Sequence, residues 1–500
     1  MNFSWIDGSI VGVYLLATMV AGIAVRKYVG KVEHFLIAGR EMNIYLGIAS
    51  LAATEFGIVT CMYTAQNGFE KGFAGIIPGI QMFLSMLVIG WTGFCIKPLR
   101  DAGVITIPEM FESRFGPRIR WAAGVVIVLG GLLNMGVFLR TGGDFLVHVC
   151  GLQAGYLEIM MTVLLLAVAI YTILGGMLSV LVTDFLQFVV MSAGLIATSI
   201  LIYHNLGWDR IVDTVQKHHG AGGFNPLVND KIGWPFIIFN AFQNFAAVLT
   251  WQTIIQRLLA AKDTKTGRRI YTGTSFFFVC RFLIPALWGI AALAVLTPEQ
   301  IGDNTLTAMP KFLATFLPVG LLGLLVAAML AADMSTDASY MLTWGSIIYN
   351  DILAPFRKRA WSERKGIFVN RTIVALIGVF LLIYGLWYPL QGNLWDYLTV
   401  SATVYLSSIS AMLIACCYWK RANNWGAAGA IIIGGVIPIG FLVLQHIVLH
   451  QHRLPSLYPY INHPNASHYS GIASFLLAGV AMVVGSLLKP QSPVAAGGSK

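Results

Sequence analysis

The feature that most constrains this chain is its series of apolar runs, each about 20 residues or longer, set between short polar connections. A helix rising 1.5 Å per residue needs about 20 residues to cross a hydrocarbon core roughly 30 Å thick. Alternating apolar–polar runs of about ten residues, the mark of a membrane barrel, are absent. Composition excludes a water-soluble alternative: 57% of the residues are hydrophobic and 11% charged, against roughly 25% charged in soluble domains. The excess apolar surface must face lipid.

Thirteen segments are expected, near 5–25, 43–68, 73–97, 119–149, 156–175, 178–203, 235–256, 269–296, 318–352, 368–388, 394–418, 425–446 and 470–488. The positive-inside rule tests the division. With the N-terminus outside, the outer loops hold only Lys71, Arg210, Lys217, Lys231, Lys311 and Arg453. Arg140 and Arg281 fall within segments, and the rest of the 32 basic residues, Arg257 among them, fall in inner loops or the tail. The net charge of +10 is thus a topogenic signal, which places the C-terminus in the cytoplasm and argues against a nucleic-acid partner. Asp7 precedes the first apolar run while Arg26 and Lys27 follow it, the reverse of a cleaved signal peptide.

The six cysteines lie in or near apolar segments and read as small buried hydrophobes. No phosphate-binding GxxxxGK[ST] loop is present, so ATP-driven pumping lacks its machinery. The mid-membrane polar residues include no His/Cys metal cluster and no Ser–His pair, which argues against an enzyme.

Ionisable residues within spans mark function. Here they are Glu55, Arg140, Asp144, Asp184, Arg281, Asp333 and Asp337. Two segments also carry polar residues at mid-depth. The second has Gly47, Thr54, Glu55, Gly57 and Thr60; the seventh has Asn240, Gln243, Asn244, Thr250 and Gln252. Paired broken helices at matching positions of two halves point to an inverted-repeat transporter.

Several stretches resemble the sodium/solute symporter family, which includes proline, sugar and sialic-acid transporters. They are Ala38-Gly39-Arg40 ahead of Glu55, Tyr171-Thr172-Ile173-Leu174-Gly175-Gly176-Met177-Leu178-Ser179, Thr183-Asp184-Phe185-Leu186-Gln187, Ile254-Ile255-Gln256-Arg257-Leu258-Leu259-Ala260-Ala261-Lys262, Met334-Ser335-Thr336 and Tyr349-Asn350-Asp351-Ile352. The resemblance implies an all-α membrane protein with a LeuT-type five-plus-five inverted repeat. Its parts are then a flanking helix at 1–30, a first repeat at 31–203, an extracellular loop at 204–234, a second repeat at 235–418, two flanking helices at 419–488 and a cytoplasmic tail at 489–500.

The resemblance further implies one sodium ion held by backbone carbonyls of Ala53 and Phe56 and by Ala332, Ser335 and Thr336, which share one helical face. A second sodium or coupling site, as in some members, would use Asp184 and Ser339, although Ala338 lacks the hydroxyl those members have. Glu55 stands where proline-type members have Asp, and Ala247 stands near the gating tyrosine of sugar members. Arg140 lies in the helix that lines the substrate cavity in the family, where some acid transporters use an arginine. Its guanidinium is expected to clamp a carboxylate bidentately, with Glu55, Gln81, Gln243 and Asn244 completing the site. The expected activity is therefore sodium-coupled import of a small polar organic solute, such as an organic or sugar acid, by a lipid-embedded monomer of the cell membrane. Proton coupling through Glu55 or Asp337, or a solute receptor on the same fold, are the alternatives.

Overall fold

In the computed structural model, which describes residues 3–489 apart from 230, 303, 358–360, 388–393, 451–453 and 464, the chain is a bundle of helices. The tail from 490 onward lies outside the described residues. The main helices are α1 (Trp5–Ala24), α2 (Ile44–Thr54), α3 (Ile58–Lys71), α4 (Ile77–Thr92), α5 (Pro117–Met135), α6 (Phe138–Val149), α7 (Leu157–Leu206), α8 (Gly233–Thr250), α9 (Gln252–Ala260), α10 (Thr264–Val295), α11 (Leu321–Ile347), α12 (Glu363–Trp387), α13 (Leu394–Tyr418), α14 (Asn424–Gln445) and α15 (Ala466–Leu488). Among the described residues the sole β contact is an isolated bridge between Met42 and Ala261.

Among the described residues, ten helical stretches are long and apolar enough to cross a membrane, against the thirteen segments expected. The difference arises in three places. Ile58–Thr92 and Leu157–Leu206 each run through two expected segments, and the expected seventh segment is split into the shorter α8 and α9. The 50 residues of α7 would reach about 75 Å if straight, more than twice a bilayer core. They are interrupted at Gly176, whose φ of 55° takes it out of helical geometry. A Cβ there would lie 2.6 Å from the Phe35 carbonyl oxygen, so only glycine fits. Leu16, Val163, Leu166 and Ile200 on α1 and α7 are all more than half exposed, the surface of a protein solvated by lipid.

Two contacts position the core. α3 and α10 meet backbone to backbone: a Cβ on Gly68 would lie 2.2 Å from the Ala286 carbonyl oxygen, and one on Gly289 would lie 1.9 Å from that of Ala65. Such small-residue contacts replace the hydrophobic drive that lipid does not supply. At the start of α1, the Asp7 side chain closes a capping box with Ser4. Its Oδ1 also accepts the N–H groups of Gly320 and Gly323, both at 2.7 Å. One carboxylate thus serves the open N-termini of two helices, α1 and α11.

Candidate functional site

Both expected breaks are present. α2 ends at Thr54, Glu55 and Phe56 are unwound, and α3 begins after Gly57 in extended geometry. α8 ends at Thr250, and Trp251 is extended before α9 resumes. The first break packs on α11. Thr336 Oγ1 lies 2.9 Å from the carbonyls of both Thr54 and Ala332, to which its hydroxyl donates. Gly57 makes this approach possible, because a Cβ there would sit 2.8 Å from Thr336 Oγ1. Ala53, Phe56, Ala332, Ser335 and Thr336 are all buried at this junction, and their carbonyls and hydroxyls are the hard oxygen donors that an alkali cation takes.

Ser335 faces differently: its hydroxyl donates to Asp184 Oδ1 at 2.6 Å. Arg257 is drawn in beside it. This residue, expected in an inner loop, is fully buried on α9. Its Nη2 lies 3.2 Å from Asp184 Oδ2 and donates to Thr54 Oγ1 at 2.7 Å and to Ser339 Oγ, while Nε donates to Ser50 Oγ at 3.2 Å. The position expected for a second sodium, between Asp184 and Ser339, therefore holds the protein's own guanidinium. The physical reason is Asp184 itself, a buried anion that needs a cationic partner.

Between the two breaks lies a cavity of about 90 Å³, small beside the roughly 300–1,000 Å³ of drug-sized sites. Thr54, Glu55, Thr60, Tyr63, Gln243, Asn244, Trp251, Arg281, Thr336, Tyr340 and Trp395 are among its walls. Glu55 Oε1 accepts from Thr253 at 2.7 Å and Oε2 from Arg281 Nη1 at 3.3 Å. Arg281 Nη2 donates to Thr60 Oγ1 at 3.2 Å and Tyr63 Oη at 3.0 Å, while its buried Nε has no partner. Trp251 Nε1 donates to Tyr340 Oη at 2.9 Å, tying the second break to α11.

Of the expected solute-binding residues, Glu55, Gln243 and Asn244 line this cavity. Gln81 stands behind, accepting from Asn244 at 3.4 Å and donating to the Ile237 carbonyl. Arg140 is not brought to the cavity. It sits on another face of α6, where Nη1 donates to the Gly385 carbonyl of α12 at 3.4 Å. Asp333 and Asp337 are buried along α11, with Asp333 against Gly142 of α6. Arg281, Tyr63, Trp251, Tyr340 and Trp395 also line the cavity and were not among the expected solute-binding residues; the signal available was the mid-span charge of Arg281.

Comparison with known proteins gives the family. A zebrafish (Danio rerio) sodium/glucose cotransporter 4 is 27% identical over 88% of this chain and 72% of its own. A Bos taurus sodium/mannose cotransporter is 27% identical over 97% of this chain and 87% of its own, and a Bos taurus sodium/myo-inositol cotransporter is 26% identical over 97% and 73%. The solved structure of a Na+-coupled sialic acid symporter superposes with a TM-score of 0.82 at 19% identity, covering 99% of this chain and all of the other, so the two share a fold. These relatives are transporters, not enzymes. With the model of the sodium:solute symporter family matching residues 35–434, this multi-pass membrane chain belongs to the sodium:solute symporter family.

Proposed function

We propose that the chain is a sodium-coupled symporter of the cell membrane that imports a small polar organic solute carrying a carboxylate, with its N-terminus outside and its C-terminus in the cytoplasm. The observation that carries this reading is the double role of the Thr54–Thr336 contact. Both residues wall the cavity, and the same contact joins α2 to α11 where Ala53, Phe56, Ala332 and Thr336 are buried, with Ser335 on the neighbouring face toward Asp184. An ion drawn to those oxygens and a solute in the cavity would act on one shared element, which is what coupling requires.

Arg281 takes the carboxylate-binding role expected of Arg140. It lies in the cavity with an unused Nε, and an arginine edge matches a carboxylate bidentately. Gln243 and Asn244 supply further hydrogen bonds, with Gln81 orienting Asn244. A single chain contains every part of this site, which supports function as a monomer.

The test is uptake by proteoliposomes, with propionate and alanine as labelled probes and sodium replaced by choline or potassium at fixed pH. Thr336→Ala and Ser335→Ala should each raise the sodium concentration for half-maximal uptake by on the order of tenfold, the equivalent of one lost ligand at about 1.4 kcal/mol. Uptake indifferent to sodium removes the reading.

A further inference from the structure

The cavity holds two opposite charges, and the way they meet narrows the solute further than a carboxylate. Glu55, in the unwound stretch after α2, is 3% exposed, and Arg281, on α10, is 9% exposed. They touch through one contact of 3.3 Å, not through two parallel hydrogen bonds. Oε2 of Glu55 has only this bond among those described, and Nε of Arg281 has none. A buried donor without a partner is costly, and a guanidinium edge is the face that receives a carboxylate. The pair is loose and half-satisfied, in a wall a solute can reach.

Each class of compact solute acts differently on such a pair. A bare carboxylate engages Arg281 but leaves Glu55 beside a second anion in a dry site, and an uncompensated buried charge is strongly unfavourable. A bare cation engages Glu55 and strands Arg281. A neutral polyol leaves the pair joined and Nε unpaired. Only a molecule with both charges replaces each half of the pair with a better partner and leaves the cavity neutral. The rings of Tyr63, Trp251, Tyr340 and Trp395 line the same space and offer faces that attract a cationic nitrogen.

We propose that the solute is a compact zwitterion, its carboxylate on Arg281 and its ammonium or quaternary nitrogen at Glu55 among the aromatic rings, and that it binds by parting the Glu55–Arg281 pair. This rests on the symporter reading above and assigns the chemical class of its solute.

The experiment is thermal unfolding of the purified full-length protein in detergent, in sodium chloride and in potassium chloride. The probes are alanine and glycine betaine as zwitterions, propionate as the carboxylate alone, ethylamine and choline as cations alone, and glucose and myo-inositol as neutral polyols. At least one zwitterion is expected to stabilise the protein with an apparent Kd on the order of tenfold or more below those of propionate and ethylamine, as loss of one half of a buried charge pair predicts. Glu55→Gln is expected to weaken the zwitterion and strengthen propionate. The Glu55→Gln/Arg281→Gln double variant, which leaves no unpaired charge, is expected to fold and to lose both. Stabilisation by propionate or a polyol equal to that of every zwitterion, or none from either zwitterion, overturns the proposal. A zwitterion effect of equal size in potassium and sodium would uphold the solute class while removing the symporter reading. A sodium-dependent effect confined to polyols would do the reverse.

Discussion

The Arg257 guanidinium lies 3.2 Å from the Asp184 carboxylate, and neither side chain is exposed. Ser50 and Ser339 complete the ring around them. A cation supplied by α9 thus fills the place on α7 and α11 where a second sodium was expected.

One sodium ion per chain is the expected stoichiometry, and equilibrium binding of radioactive sodium to purified protein of known concentration measures it. A count of two would mean that Arg257 leaves Asp184 when sodium is present. One ion suffices for a solute without net charge. A membrane potential of about 100 mV contributes ~2.3 kcal/mol per charge, and an about tenfold sodium gradient adds ~1.4 kcal/mol, enough together for roughly 500-fold accumulation.

Removing one partner of that pair should be far worse than removing both. Asp184→Asn leaves Arg257 buried without a counter-charge and is expected to destabilise by about 3–5 kcal/mol. Asp184→Asn combined with Arg257→Gln should recover much of that loss. Thermal unfolding of both variants gives the comparison, and equal losses would mean that the two side chains do not act as a pair.

Gly57→Ala should act on ion affinity without unfolding the chain. The added methyl would sit 2.8 Å from Thr336 Oγ1, and the hydroxyl must move off the Thr54 carbonyl to admit it. The sodium concentration for half-maximal uptake is expected to rise by about tenfold, while the melting temperature changes little. Unchanged sodium dependence would detach this contact from the ion site.

The legible and illegible parts of the site divide along physical lines. The break at Thr54–Gly57 was readable because glycine, hydroxyls and an acid at mid-depth have no place in a continuous apolar helix. Arg257 was not. A basic residue at the end of an apolar run looks like a loop residue, and its burial depends on Asp184, 73 positions away in the chain. The choice between Arg140 and Arg281 was equally hidden. Both are mid-span arginines, and in a bundle buried on many sides the apolar pattern does not mark which helix face meets a cavity. Spans were legible as apolar lengths, and the interruption at Gly176 falls between the two segments expected within Leu157–Leu206.

Asp7→Ala should lower stability and leave transport affinity alone. It removes the acceptor for Ser4, Gly320 and Gly323 at the starts of α1 and α11, more than three helical turns before Thr336 on α11. A loss of about 1–2 kcal/mol is expected from helix caps of this kind, measured by thermal unfolding beside uptake kinetics. An altered sodium or solute half-saturation would show that the cap reaches the site through α11.

Gly289→Ala is expected to be more damaging than the Gly57→Ala change. Its methyl would meet the Ala65 main chain at 1.9 Å, and a backbone does not yield as a side chain does. Overpacking of this kind typically costs about 1–3 kcal/mol, occasionally more. Poor recovery of folded protein on size-exclusion chromatography is the readout. Normal recovery and stability would mean that α3 and α10 can separate.

That main-chain contact also sets what inside the cavity can change shape. Thr60 and Tyr63 ride on α3 and Arg281 on α10, and the spacing between the two helices is fixed by peptide atoms touching peptide atoms. The three donors travel as one solid piece. Glu55 belongs to the unwound link before α3, outside that piece. The cavity thus sets three donors of fixed mutual spacing against an acid carried on a separate link of the chain.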